Sequence, residues 1–293
     1  MKKDKFKNLK YVFGVLAGID VIVWFLILFP VEVKNLQLYF LDIGQGDSSL
    51  LILPHSAGSG QAGGVKMLID GGPPNGALDK NLERIFPAND RYVDLVMISH
   101  PQLDHFGGFI ELLKNYKVGA VLTSDKTSEQ PAWQELEKVI KEKKIRRIIL
   151  TAGDKIKYQD SEFNILSPRS SDFAKDINDF SLVTILNSAG VKAFFGGDIS
   201  AEKEKQLADL YDVDVDILKV SHHGSRFSSN LEFLKEASPS FSGIEVGKNN
   251  YGHPTKEALA RLANFSSQVY RTDLSGLVKL VVANGKLSVY TGK

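Results

Sequence analysis

Ser99-His100-Pro101-Gln102-Leu103-Asp104-His105-Phe106-Gly107-Gly108 directly follows the apolar run Val93-Asp94-Leu95-Val96-Met97-Ile98. In an extended segment alternate side chains share a face, so His100, Gln102 and Asp104 point the same way. A helix beginning near Phe106 would turn His105 onto that same point. Two imidazoles and one carboxylate converging at a strand end suit a divalent metal. Gln102 stands where a tighter site would place another charged or imidazole ligand.

Three further apolar runs end in polar residues. Met67-Leu68-Ile69 leads into Asp70-Gly71-Gly72, and Ala193-Phe194-Phe195 leads into Gly196-Gly197-Asp198. Ile217-Leu218-Lys219-Val220 leads into Ser221-His222-His223-Gly224-Ser225. In layered α/β folds chemistry collects at strand ends, where loops bring distant residues together. The neighbouring glycines permit tight turns and close backbone approach.

In this arrangement the chain resembles the metallo-β-lactamase-fold domain of the ComEC competence-protein family. The matching pieces begin with Phe40-Leu41-Asp42-Ile43-Gly44-Gln45-Gly46-Asp47, Leu68-Ile69-Asp70-Gly71-Gly72 and the His100–Gly108 segment. They continue with Asn178-Asp179-Phe180-Ser181-Leu182-Val183, Gly197-Asp198, Leu218 to Ser225, Asn250-Tyr251-Gly252-His253-Pro254 and Arg271 to Gly276. The resemblance runs over about residues 36–291. It implies a four-layer αββα sandwich with the metal rim where two sheets meet. It also implies hydrolysis by a metal-activated water, and partners in a DNA-uptake channel.

The 293 residues suffice for one large domain. The absence of cysteine excludes disulfides and thiolate ligands. Net charge is +1, with a local +4 from five lysines and one aspartate in residues 1–10, so the remainder carries −3. A strongly basic nuclease surface is not written in such a sequence. Tyr11–Phe29 is apolar apart from Asp20 and amounts to about 28 Å of helix. With the preceding lysines it reads as a single membrane anchor whose amino terminus is cytoplasmic and whose catalytic domain is extracytoplasmic. No small-residue cleavage site follows it. The expected division is a basic tail over 1–10, an anchor over 11–30, a linker over 31–35 and a hydrolase domain over 36–293.

Within that domain, strands are expected over Leu36–Ile43, Ser48–Leu53 and Val65–Asp70, with a surface loop over Pro54–Gly64 in which His55 is exposed. Helical spacing covers Leu78–Phe86, Phe106–Asn115, Ala132–Lys143 and Ala201–Leu210. Short strands follow at Val118–Leu122, Arg147–Leu150 and Lys155–Tyr158. Hairpins are expected around Ala189-Gly190 and Asn284-Gly285, the latter a strong type I′ signal. The basic stretch Lys138 to Arg147 is interleaved with glutamates and reads as a solvated face rather than a phosphate track.

The expected metal ligands are His100, Asp104, His105, Asp198 and His223, with Gln102 and Asn178 as weak ones. Asp198 is placed as the bridging carboxylate by the resemblance. Ser200 is better positioned than Asp198 to cap the following helix. Asp47 and Asp70 are expected behind the ligands, Asp70 orienting a histidine. Asp104, Asp198, His222 and His253 form the expected catalytic set, and Ser225, Asn250, Tyr251 and His253 contact substrate. His253 has a loop-stabilising alternative. One tight and one weak site for Zn2+ or Mn2+ follow from Gln102, because a neutral carbonyl oxygen is a poor ligand. The leading activity is a phosphodiesterase acting on DNA. The alternatives are an envelope phosphoesterase for choline-phosphate or lipid head-group esters, and a metal-poor binding or regulatory module.

Overall fold

Alternation of large apolar residues sets the layers. In β1 (Leu36–Phe40), Leu38 and Phe40 face one way while Tyr39 faces the other, and each side is buried in a different core. The computed structural model describes residues 3–28, 33–55, 64–172, 176–265 and 268–293, with the side chains of the first helix, α1 (Lys3–Leu28), over 11–24. From β1 the chain continues through β2 (Ser49–Leu53) and β3 (Val65–Ile69), then α2 (Ala77–Ile85) and β4 (Tyr92–Met97). Next come α3 (Leu103–Asn115), β5 (Lys117–Thr123), α4 (Pro131–Glu142) and β6 (Arg146–Ile149). The second half comprises β7 (Lys155–Tyr158), β8 (Ser161–Ser167), β9 (Val183–Ser188), β10 (Val191–Phe195), α5 (Ala201–Leu210), β11 (Ile217–Lys219), α6 (Leu231–Ala237), β12 (Phe241–Ile244), α7 (Lys256–Ala263) and β13 (Gln268–Arg271). After the short helix α8 (Thr272–Ser275), the hairpin β14 (Val278–Ala283) and β15 (Lys286–Thr291) returns to the first sheet.

Two mixed sheets result, with orders β15-β14-β1-β2-β3-β4-β5-β6 and β13-β12-β11-β10-β9-β8-β7. In each, pairing changes from antiparallel to parallel once, at β3 and at β10. Helices cross between the parallel strands, as such connections require. Leu38, Phe40, Leu51, Met67 and Met97 meet Phe163, Ile165, Leu186, Phe195 and Phe241 between the sheets. The rings of Phe40 and Phe241 stack with centroids 5.7 Å apart. A second core lies between the first sheet and α2–α4, and a third between the second sheet and α5–α7. The arrangement is the expected αββα sandwich. Asp70, His100, Asp198 and His222-His223 follow the carboxyl ends of β3, β4, β10 and β11.

Several expectations need correction. Helix α3 begins at Leu103, not near Phe106, so Asp104 lies with His105 in its first turn rather than on an extended face with His100 and Gln102. The early start comes from contact with the Gly71-Gly72 turn. Gly71 N–H donates to the His105 carbonyl at 2.6 Å, and Gly108 N–H donates to the Gly72 carbonyl at 2.8 Å. His55 is buried, its Nδ1 lying 2.8 Å from the Tyr158 hydroxyl; most of the expected loop around it lies outside the described residues. Among the described residues no helix is long and apolar enough to cross a membrane. That overturns the expected single-pass anchor and, with it, the extracytoplasmic placement.

Both expected hairpin turns form, with positive φ at Ala189 and Gly190 and at Asn284 and Gly285. The basic stretch pairs with its own glutamates, Arg147 with Glu137 at 2.8 Å and Lys138 with Glu135 at 3.9 Å. A Cβ at Gly108 would meet the Gly71 carbonyl oxygen at 2.1 Å, so α3 can seat against that turn only without a side chain there. Gly108→Ala is therefore expected to lower stability by about 1–3 kcal/mol, read from urea midpoints, and to weaken metal binding by displacing His105.

Candidate metal centre

The site is assembled where both switch points face each other. His100 follows β4 and is 1% exposed, while His105 is fully buried one turn into α3, their ring centroids 4.1 Å apart. Asp198 lies in the turn after β10, freed from helix capping because Ser200 Oγ accepts the Lys203 N–H at 3.2 Å. His222 and His223 both occupy left-handed backbone (φ 53° each), a conformation costly for residues bearing a Cβ. Asp70 shares that conformation, with φ 60°. Strain of this kind persists only where the surroundings enforce it.

The imidazoles converge on one carboxylate. Asp198 Oδ2 lies 3.3 Å from His105 Nε2, 3.5 Å from His223 Nε2 and 3.9 Å from His222 Nε2. Asp104 Oδ2 lies 3.5 Å from His223 Nε2. The opposite ring nitrogens are held from behind. Asp70 Oδ2 is 2.9 Å from His105 Nδ1, and Asp70 accepts the Ser99 N–H and hydroxyl at 2.7 Å each. His223 Nδ1 lies 3.0 Å from both Asp47 Oδ1 and the Glu245 carbonyl oxygen. Such contacts select the Nδ1–H tautomer and leave each Nε2 lone pair aimed into the site.

The donor set suits a cation. Among the described residues, Nε2 of His100, His105 and His223 and Oδ1 of Asp198 are buried without a hydrogen-bond partner. His100, His105 and Asp198 form one potential ligand set; Asp104, His105 and His223 form another; Asp47, Asp198 and His223 a third. Protonation tells the same story. Burial works against a charged His223, yet Asp198 and Asp47 outweigh it and push the imidazole up to about 10. His105 is likewise raised against burial by Asp198 and Asp70. Burial would raise Asp104, but the His223 imidazole 3.5 Å away and the charge of His105 bring it to about 2. Burial and the neighbouring His105 lower His100 to about 3. The carboxylates thus demand positive charge at this point, which a divalent ion would supply in place of protons.

An open cleft of about 470 Å³ leads to the centre, lined by Gln45, Pro73, Gln102, Leu103, Asp104, Asp176, Asn178, Asp198, His222, His223, Tyr251 and His253. Tyr251 is 75% exposed, and its ring lies 5.7 Å from that of His253, which lies 5.6 Å from that of His222. Two expected substrate contacts are not brought to this cleft. Ser225 is buried and its hydroxyl accepts the Phe227 N–H at 3.2 Å, a loop-building role. Asn250 is exposed outside the lining. Asn249 shapes the loop instead, donating to the Gly247 and His253 carbonyls and accepting the Tyr251 and His253 N–H groups.

Sequence reasoning missed Lys219 and Glu245. Lys219 is 3% exposed and forms an ion pair with Asp47, tying β11 of one sheet to the loop after β1 of the other. Glu245 is buried, accepts the Ser49 hydroxyl at 3.1 Å, and is raised well above the usual carboxylate range by burial and then by Asp47. A lysine inside the apolar run Ile217–Val220 was the available signal, since buried lysines require a charge partner.

Residues 66–248 match the beta-lactamase superfamily domain. The chain is 30% identical over 296 residues to ComE operon protein 3 of Bacillus subtilis, covering 94% of this chain and 37% of that protein. It is 26% identical over 247 residues to competence protein ComA of Neisseria gonorrhoeae, covering 83% and 32%. It therefore spans about a third of the length of these curated relatives. The metallo-beta-lactamase fold protein YhfI from Bacillus subtilis shares the fold, with a TM-score of 0.56 at 13% identity over 84% of this chain and all of that one.

Lys219→Met would remove the ammonium partner of the buried Asp47 and leave only the His223 imidazole against it, an expected loss of about 3–5 kcal/mol in denaturant unfolding. Adding Asp47→Asn should restore part of that stability, because neither charge then remains.

Proposed function

The chain belongs to the beta-lactamase superfamily, and from that membership and the cleft we propose that it is a metal-dependent phosphodiesterase, with DNA the first substrate to test. The observation that carries the reading is the convergence of the unpaired Nε2 atoms of His105 and His223 on Asp198, which with His223 lines an open cleft. The competence naming of one relative supports DNA and a role alongside a competence-type channel. The hydrolase unit in this reading spans residues 36–293.

Asp104, His105, Asp198 and His223 would hold one tightly bound ion, Zn2+ or Mn2+, with His100 on a weaker side. When bound, such an ion lowers the pKa of a coordinated water and polarises a phosphoryl oxygen. The chain's own residues then position the reaction. Asp104, with its side chain 35% exposed, reaches the cleft and can accept a proton there. His222 and His253 both line the opening, where the His253 imidazole can hold a proton for a leaving oxygen. Burial, reinforced by the adjacent His222, lowers the His253 pKa and favours its neutral form. Tyr251 offers an exposed ring at the rim on which a base can stack.

Turnover of bis-p-nitrophenyl phosphate and of single-stranded DNA, measured with metal content, tests this reading. Hydrolysis of choline-phosphate esters with none of DNA would replace it by the envelope phosphoesterase, and a metal-free inert protein by a binding module. Asp104→Ala and Asp198→Ala are expected to lose metal and at least a hundredfold in turnover while the far-ultraviolet circular dichroism stays unchanged, because imidazoles alone hold a hard cation poorly. Gln102→Asp is expected to raise metal content from one toward two per chain and to increase turnover. Two ions at full occupancy in dialysed wild-type protein would refute the weak His100 side.

A further inference from the structure

On the His100 side of the cleft stand two neutral amides, and they face each other. Gln102 Nε2 donates to Asn178 Oδ1 at 2.5 Å. Both line the cleft that contains Asp104, Asp198, His222 and His223. We propose that this amide pair is an anion clamp that binds a non-bridging oxygen of the substrate phosphate, filling the place where a second metal ion would otherwise sit. The proposal rests on the phosphodiester reading of the same site.

Hydrogen-bond accounting supports a clamp over a metal subsite. Two primary amides carry four N–H donors, and their mutual bond uses one. Among the described residues, neither side chain makes another hydrogen bond, so the pair offers N–H groups to the cleft. Whichever amide donates to the other, that surplus of donors remains. A cation would need the carbonyl oxygens, one of which is already engaged. Among the described residues His100 joins a potential cation set only with His105 and Asp198, the residues that the tight site also uses.

The pair is firmly mounted. Asn178 is 7% exposed; its backbone N–H donates to Asp176 Oδ1 at 3.1 Å, and its carbonyl accepts the Ser181 hydroxyl at 2.6 Å. Gln102 precedes the first turn of α3 yet makes no side-chain capping bond, which leaves its amide for the cleft. The amino-terminal end of that 13-residue helix adds partial positive charge. A phosphoryl oxygen seated there would meet amide donors and a helix amino terminus.

The test uses the full chain loaded with Mn2+ and inorganic phosphate as the probe, with phosphate affinity read by isothermal titration and metal content by atomic emission. Gln102→Met and Asn178→Ala should each weaken phosphate binding about ten- to a hundredfold, as expected for loss of a hydrogen bond to a charged group, with metal per chain unchanged. Loss of metal in Gln102→Met would overturn the clamp, as would phosphate affinity within about twofold of wild type. Failure of wild-type protein to bind phosphate would overturn it as well. If Asn178→Ala does not fold, Gln102→Met at its half-exposed position decides alone. Phosphate binding is read without turnover, so inactivity on phosphodiesters would refute the activity while leaving this result standing.

Discussion

Burial of negative charge between two sheets is the constraint on which the structure depends. Asp47, Asp70 and Asp198 are each no more than 2% exposed, and Asp104 is only partly open. An ionised carboxylate removed from water costs several kcal/mol even after relaxation. Every buried one here is therefore engaged: Asp47 with Lys219 and His223, Asp70 with His105 and Ser99, Asp198 with His105 and His223. The Asp47–Lys219, Asp47–His223 and Asp198–His105 contacts each join a residue of one sheet's half to a residue of the other's. Charge compensation and sheet packing are thus the same event, and a divalent ion would complete it.

Lys219 has a particular place in this balance. It neutralises Asp47 from below, so Asp47 can hold the Nδ1 side of His223 without adding a net charge. Glu245, one residue after β12, is biased toward its neutral form by burial and by Asp47. Three acidic groups, one lysine and two imidazoles therefore settle into a fixed pattern of protons behind the ligands. That pattern aims Nε2 of His105 and His223 into the cleft, and left-handed backbone at Asp70, His222 and His223 is the conformational cost of doing so.

The two sides of the centre differ in kind. One gathers Asp104, His105, Asp198 and His223, all charged or imidazole donors; the other gathers His100 with two amides already bonded to each other. In the proposed reading, an asymmetric site of this form would separate holding a cation from holding an anion. In the proposed phosphodiester chemistry both tasks arise at once, because the phosphoryl group must be gripped while the attacking water is activated.

The sequence by itself determined the sandwich class, the hairpins and the cluster of strand-end histidines and aspartates. Each is written in local spacing: alternation in β1, Asn284-Gly285 for a left-handed turn, and polar residues closing apolar runs. The release of Asp198 from capping was legible too, since Ser200 stands one residue before α5. Tertiary structure decided the rest. Helix α3 starts at Leu103 because the Gly71-Gly72 turn, about thirty residues earlier, accepts and donates the bonds that seat it. His55 is buried because Tyr158 of the other sheet reaches it. Lys219 meets Asp47 across 172 positions, and Gln102 meets Asn178 across 76, distances over which periodicity carries no information. Pairings between charged or amide groups so far apart are fixed by which sheet faces which, and that is a property of the packed fold alone.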